Sequence, residues 1–136
     1  MANFLNKKAG VILRLKNVLI VVNDIERSVR FYKELFGLQI IVNQEGNVIM
    51  SEGLVLQDKL IWEKSLKKDV IPKSNMTELY FEEEDIEAFI KKLKSCEFVI
   101  EYINELMTDE RGRKIVRFYD PDGNLIEVGT PVFVRG

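Results

Sequence analysis

Two stretches of this chain repeat each other. Asp24-Ile25-Glu26 returns as Asp85-Ile86-Glu87, an offset of 61 residues. Each triplet follows a short apolar-rich run and opens an apolar stripe at helical spacing. The stripe is Ile25, Val29, Tyr32 and Leu35-Phe36 in the first copy, and Ile86, Phe89, Ile90 and Leu93 in the second. Both aspartates stand where a helix N-cap belongs, with a carboxylate available to an orphan amide of the first turn. A second match follows downstream. Glu52-Gly53-Leu54-Val55-Leu56-Gln57 aligns with Asp122-Gly123-Asn124-Leu125-Ile126-Glu127 at an offset of 70, the extra residues falling in the polar stretch Glu105–Lys114. A 136-residue chain built this way is constrained to one small unit made twice, each unit reading strand, helix and three strands. The fold class this predicts is α+β, tandem βαβββ modules at about 13–60 and 76–130, in one domain over 11–136 behind a polar arm, 1–10.

The elements follow from local pattern. Leu13–Val22 is aliphatic and β-branched, a strand with Asn17, Leu19 and Val21 on one face and Val18, Ile20 and Val22 on the other. Gly37 is placed as the C′ residue of the first helix. Strands are expected at Leu38–Asn43, Val48–Ser51 and Leu54–Leu60, with a turn at Glu45-Gly46-Asn47. Asp58–Lys73 is lysine-rich, closes with Pro72 and reads as a linker with room for a short helical turn. The second unit places strands at Glu78–Phe81 and Phe98–Ile103.

The last hairpin, Ile115–Tyr119 into Asn124–Val128, is written by Asp120-Pro121-Asp122-Gly123-Asn124, whose proline and glycine suit a tight turn. Glu127 lies between Ile126 and Val128, so it points away from both. A carboxylate in the middle of an apolar strand is solvated, ion-paired, or part of a site.

Composition removes several function classes. A net charge of −2 and a pI near 5.4 give no electrostatic basis for nucleic-acid binding. The longest apolar run near the N-terminus, Val18–Val22, is too short to span a membrane or form a signal-peptide core. Cys96 is the single cysteine and suits a reducing compartment, so a cytoplasmic location is expected. The chain has no histidine, which excludes Ser-His-Asp and Cys-His chemistry and every imidazole-ligated metal.

Lys16–Ser28 with Phe31-Tyr32 and Leu35-Phe36-Gly37-Leu38, followed far downstream by Asp120–Asn124 and Ile126-Glu127, resembles the vicinal oxygen chelate superfamily over roughly Leu13 to Thr130. That superfamily includes glyoxalase I, fosfomycin-resistance enzymes, extradiol dioxygenases and bleomycin-binding resistance proteins. The resemblance implies paired modules whose mixed sheets curl around a groove, helices on the outer face, and homodimeric assembly. It also implies four groove positions, matched here by Asn17, Gln57, Glu78 and Glu127. Metal-dependent relatives usually carry histidine where Asn17 and Glu78 stand. The two amides and two carboxylates that remain are hard oxygen donors, suited at most to weak magnesium, manganese or calcium binding, and no cofactor is expected.

Two readings follow. In the first, the protein binds a small molecule in the groove without the usual metal site, as the bleomycin-binding branch does. The ligand contacts would be Asn17, Gln57, Glu78, Tyr80, Trp62 and Glu127, and the acidic groove would suit a cationic ligand. In the second, a lactoylglutathione-lyase-like isomerase or lyase works with a hard metal or none, Glu127 or Glu78 moving the proton. The first is preferred, because a metal-free enediolate has no evident partner for its charge. Phe31, Phe36, Phe89 and Ile90 belong to the core or a dimer contact, and Asp109–Lys114 reads as a solvated hairpin tip.

Overall fold

Each half of the chain builds one four-stranded mixed sheet, and the computed structural model describes residues 13–131. The first module contains β1 (Val18–Val22), α1 (Ile25–Phe36), β2 (Ile40–Gln44), β3 (Asn47–Met50) and β4 (Leu54–Asp58). A helix α2 (Lys59–Leu66) follows, and then the second module: β5 (Leu79–Glu82), α3 (Ile86–Ser95), β6 (Glu101–Thr108), β7 (Lys114–Tyr119) and β8 (Leu125–Gly129). The sheet orders are β1-β4-β3-β2 and β5-β8-β7-β6, with the first pair of each parallel and the others antiparallel. The repeated βαβββ reading therefore holds, and neither sheet closes.

The helix ends form as their residues require. Asp24 accepts from Arg27 N, Asp85 accepts from Ala88 N, and Gly37 takes the left-handed conformation at φ 70°. Both helices set their apolar stripes against the sheets in one continuous core. Ile20 and Val22 meet this core, as do Phe31, Tyr32 and Leu35 of α1, Ile86, Phe89 and Leu93 of α3, and Phe118 and Ile126 of the last hairpin. The Phe36 ring stacks on Phe81 at 4.1 Å, so α1 packs against the second module as well as its own.

Three boundaries differ from the sequence reading. The first strand starts at Val18, not Leu13. Its ladder partner β4 begins only at Leu54, after a 3-10 turn with Glu52 and Gly53 at positive φ, so residues 13–17 have no strand to pair with. Leu13 and Leu15 are accordingly 98% and 86% exposed. The linker holds a true helix, because the Asp58 side chain caps it at Ile61 N. The strand expected at Phe98–Ile103 is displaced to Glu101–Thr108, since Phe98 and Ile100 are drawn onto the core while polar residues are tolerated on an edge strand. The arm 1–10 lies outside the described residues, as do residues 11, 12 and 132–136. No helix among the described residues is long and apolar enough to cross a membrane.

The two modules are locked by the final turn. Asp120 accepts from Tyr32 Oη, from the backbone N–H groups of Asp122 and Asn124, and from Asn124 Nδ2. Asp122 accepts from Asn23 N at 3.0 Å and from Arg27 Nη2 at 2.8 Å, both at the start of α1. The Asp-Pro-Asp-Gly-Asn stretch is thus a fastening between modules as well as a hairpin turn.

Candidate site on the open face of the second sheet

The α1 and α3 stripes cover one face of each sheet and leave the opposite face of the second sheet open. Ladder register places four side chains in a row across the open face of the second sheet: Tyr80 on β5, Glu127 on β8, Arg117 on β7 and Asn104 on β6. They are joined. Arg117 Nε donates to Glu127 Oε1 at 2.8 Å, and Arg117 Nη1 donates to Asn104 Oδ1 at 2.9 Å. Arg113, the residue just ahead of β7, folds back over the row. Its Nη2 lies 3.6 Å from Glu127 Oε2, its Nη1 donates to Tyr80 Oη at 2.8 Å, and its Nε donates to Asp109 at 3.0 Å. Glu127 is only 6% exposed and ion-paired, which removes the solvated reading.

Glu78 sits one residue ahead of β5, within electrostatic reach of this cluster. Partial desolvation and the neighbouring Glu127 carboxylate push its carboxyl above the ordinary glutamate value, while Arg117 and Arg113 pull it back. Asp109 is held below the usual aspartate range. Desolvation works against this, but hydrogen bonds from the Arg113 and Arg111 backbones and from the Arg113 guanidinium outweigh it. One carboxyl raised beside another bound in ion pairs is an arrangement that separates proton-carrying from charge-holding roles.

The other named residues lie elsewhere. Gln57 is on the first sheet, donating from Nε2 to Asn47 Oδ1 at 3.3 Å. Its ladder partner is Val21, four residues along from Asn17, or about 13 Å of strand. Asn17 stands beside Gly53 at the mouth of β1. Trp62, on α2, lines a separate cavity of about 270 Å³ with Leu19, Val21 and Leu125. Glu78, Tyr80 and Glu127 are brought together; Asn17, Gln57 and Trp62 are not joined to them by any hydrogen bond or ion pair among the described residues. Nor does any group of three or more Cys, Asp or Glu side chains among the described residues converge as a metal cage would.

The repeat sharpens the contrast. In the first sheet the row matching Tyr80–Glu127–Arg117–Asn104 is Leu19–Val55–Ile49–Val42, apolar throughout. The in-register counterpart of Glu127 is therefore Val55, two residues from the Gln57 that alignment on the glycines selects. Arg117 was legible in the sequence. A hairpin centred on Asp122 sets Arg117 opposite Glu127, and the charges are complementary. Arg113 carried no such signal, because the bulged β6–β7 pairing that aims it is not written in a local pattern.

Comparison with known proteins agrees with this architecture. Metallothiol transferase FosB of Lysinibacillus sphaericus (strain C3-41) is 29% identical over 119 residues, 85% of this chain and 81% of that protein. A protein of unknown function from Agrobacterium tumefaciens strain C58 superposes with a TM-score of 0.76 at 29% identity, over 90% of this chain and 97% of the other. The lactoylglutathione lyase of Agrobacterium tumefaciens shares the fold, with a TM-score of 0.65 at 20% identity over 86% and 92%. Residues 15–132 match the family model of the glyoxalase-like domain, and the chain belongs to that family, within the vicinal oxygen chelate superfamily.

Proposed function

We propose that the protein binds a small organic molecule on the open face of the second sheet, without a divalent metal. The observation that carries this reading is the engagement of Glu127 by two guanidinium groups, at 2.8 and 3.6 Å. A divalent cation at that carboxylate would lie beside two positive charges, with only Glu78 of the other three donors near it, while Gln57 is on the first sheet, bonded to Asn47. The donor set does not fit a metal.

The same arginines change the expected ligand. An acidic groove alone favoured a cation, but Arg113 and Arg117 balance the carboxylates of Glu127 and Asp109. A ligand carrying both an amine and an acid group suits the result, its amine facing Glu78 and its acid group facing the arginines. Homodimeric assembly in the cytoplasm is part of the same proposal, carried over from the family resemblance. The test is a thermal-shift screen of amino acids, small peptides and aminated antibiotics at low salt, with and without EDTA. Stabilisation by amphoteric compounds, unchanged by EDTA and lost in Arg117→Met, is the expected result. Stabilisation by manganese or magnesium that is lost in Glu127→Gln would overturn the reading.

One observation favours a second reading, a metal-independent isomerase. Glu78, with its raised carboxyl, lies near two guanidinium groups able to hold a developing enediolate oxygen. Glu78 would take the proton from the hydroxyl-bearing carbon and return it at the former carbonyl carbon, while the hydroxyl proton passes to the other oxygen. Deuterium wash-in at the carbon next to the carbonyl of 2-hydroxy-ketone substrates, abolished in Glu78→Gln, distinguishes this from binding alone.

A further inference from the structure

Strands β1 and β5 hold the same end position in their sheets, each with one side turned away from its ladder. The two edges differ. That of β1 is covered by the segment leading into β5, residues 70–77: Val70, Ile71, Pro72 and Asn75 line one cavity with Leu19 and Val21. Asn124 Nδ2 also donates to Val21 O at 3.3 Å. The edge of β5 has no such cover among the described residues. Backbone groups of a strand point alternately to its two sides. Glu83 N donates to Gly129 O at 2.9 Å, so Leu79 and Phe81 turn their N–H and C=O groups toward β8, and Tyr80 and Glu82 turn theirs away. No hydrogen bond among the described residues reaches those four outward groups.

Residues 78–82 line a cavity of about 830 Å³ together with Val18, Phe36, Leu38 and Leu54, and no described residue ahead of Val18 enters its wall. The charge on that wall has one sign. Glu52, Glu78 and Glu82 contribute to it, no lysine or arginine does, and none of the three carboxylates is in an ion pair among the described residues.

We propose that the free edge of β5 takes up a short extended peptide with basic and apolar residues in alternation, added as a further strand of the second sheet. The alternation is read from β5 itself. Glu78, Tyr80 and Glu82 are exposed, whereas Leu79 and Phe81 pack on the core. Residues paired across a ladder share a face, so an added strand meets the carboxylates with one set of side chains and Leu79 and Phe81 with the other. A peptide fits better than a simple amine. An amine answers the carboxylates alone, while an extended main chain also pairs the two donors and two acceptors of Tyr80 and Glu82. This edge shares only Glu78 and Tyr80 with the polar row, and the proposal does not depend on the small-molecule reading.

The probe is a dye-labelled, amidated hexapeptide of alternating leucine and lysine, added to the full chain. Fluorescence anisotropy reads binding, and amide exchange by NMR reads its place. The Tyr80 and Glu82 amides are expected to exchange about tenfold or more slower with peptide bound, and the Phe81 amide, already turned to β8, to stay unchanged. Glu52→Lys combined with Glu82→Lys should weaken binding about tenfold or more. Both positions are exposed, and the melting temperature checks that the fold is kept. Methylating the lysine nitrogens in one peptide and the leucine nitrogens in another keeps every charge. One of the two should lose binding and the other keep it, because alternate amides face the edge. Absence of saturable binding overturns the proposal, and so does binding indifferent to the double charge reversal. Hexalysine bound as tightly, or both methylated peptides still bound, would reduce the contact to charge alone and overturn it. Protection of the Tyr80 and Glu82 amides before peptide is added would give the edge to the chain itself or to a second copy, and overturn it too.

Discussion

The hydroxyl of Tyr32 donates to Asp120 Oδ2 at 2.7 Å, joining the middle of the first helix to the last turn of the chain across 88 residues of sequence. Both side chains are buried. Burial first, and then the Asp120 carboxylate, push the Tyr32 phenol well above its ordinary value, so it stays a proton donor throughout the accessible pH range. Tyr32→Phe removes that donor while leaving Asp120 its three other hydrogen bonds. A loss of about 1.5–2 kcal/mol is expected, read from the urea midpoint at constant slope. A change in slope instead would mean that the modules had come apart.

Arg117→Met leaves Glu127 buried beside only the longer contact to Arg113. The expected cost is about 1–3 kcal/mol, below the range for a fully buried pair because Arg117 is one-third exposed. Pairing Arg117→Met with Glu127→Leu should recover most of the loss, because the stranded charge goes with its partner. Additive losses in the double variant would show that the two residues do not act as a pair.

A carboxyl whose folded-state value is raised contributes stability that is full below its unfolded value and is lost as pH rises through the folded one. Glu78 is of this kind, through desolvation and Glu127. Glu127→Gln removes the repulsion and leaves Arg117 and Arg113 unopposed, so the Glu78 carboxyl should titrate at lower pH. The window over which it weakens stability should move down with it. Carbon-detected NMR titration of the glutamate side chains measures this directly. An unmoved Glu78 would remove it from the cluster.

Gly37 and Gly123 both have positive φ, at 70° and 88°, but in different surroundings. A Cβ at Gly37 meets nothing within 4 Å, whereas one at Gly123 meets Lys73 N at 3.1 Å and Pro72 Cβ at 3.2 Å. Gly37→Ala should therefore cost about 1 kcal/mol of backbone strain alone. Gly123→Ala should cost more and loosen the 70–77 segment. Melting temperatures of the two variants, compared side by side, check the order.

The fold was legible where local chemistry is decisive. Asp24, Asp85 and Gly37 are end signals whose side chain, or lack of one, decides the backbone on its own. The repeat then ordered the strands. Residues 13–17 misled because Leu13 and Leu15 alternate with Arg14 and Lys16 as a half-buried strand would, yet strand formation depends on a neighbour, and the turn at Glu52-Gly53 ends the neighbour early. The site was half legible. The family resemblance set Glu78 and Glu127 in one groove with Tyr80 among the ligand contacts, and hairpin register could have added Arg117. Arg113 reached the row only through an irregular ladder with two register shifts, which no spacing rule anticipates.

The row Tyr80–Glu127–Arg117–Asn104 and its apolar twin Leu19–Val55–Ile49–Val42 occupy equivalent places on a duplicated scaffold. Duplication alone would double a binding capacity. Here the charged row stands on one copy only, so the proposed reading gives each chain a single place for a ligand. A symmetric molecule offered to this protein would find one half of its reflection missing.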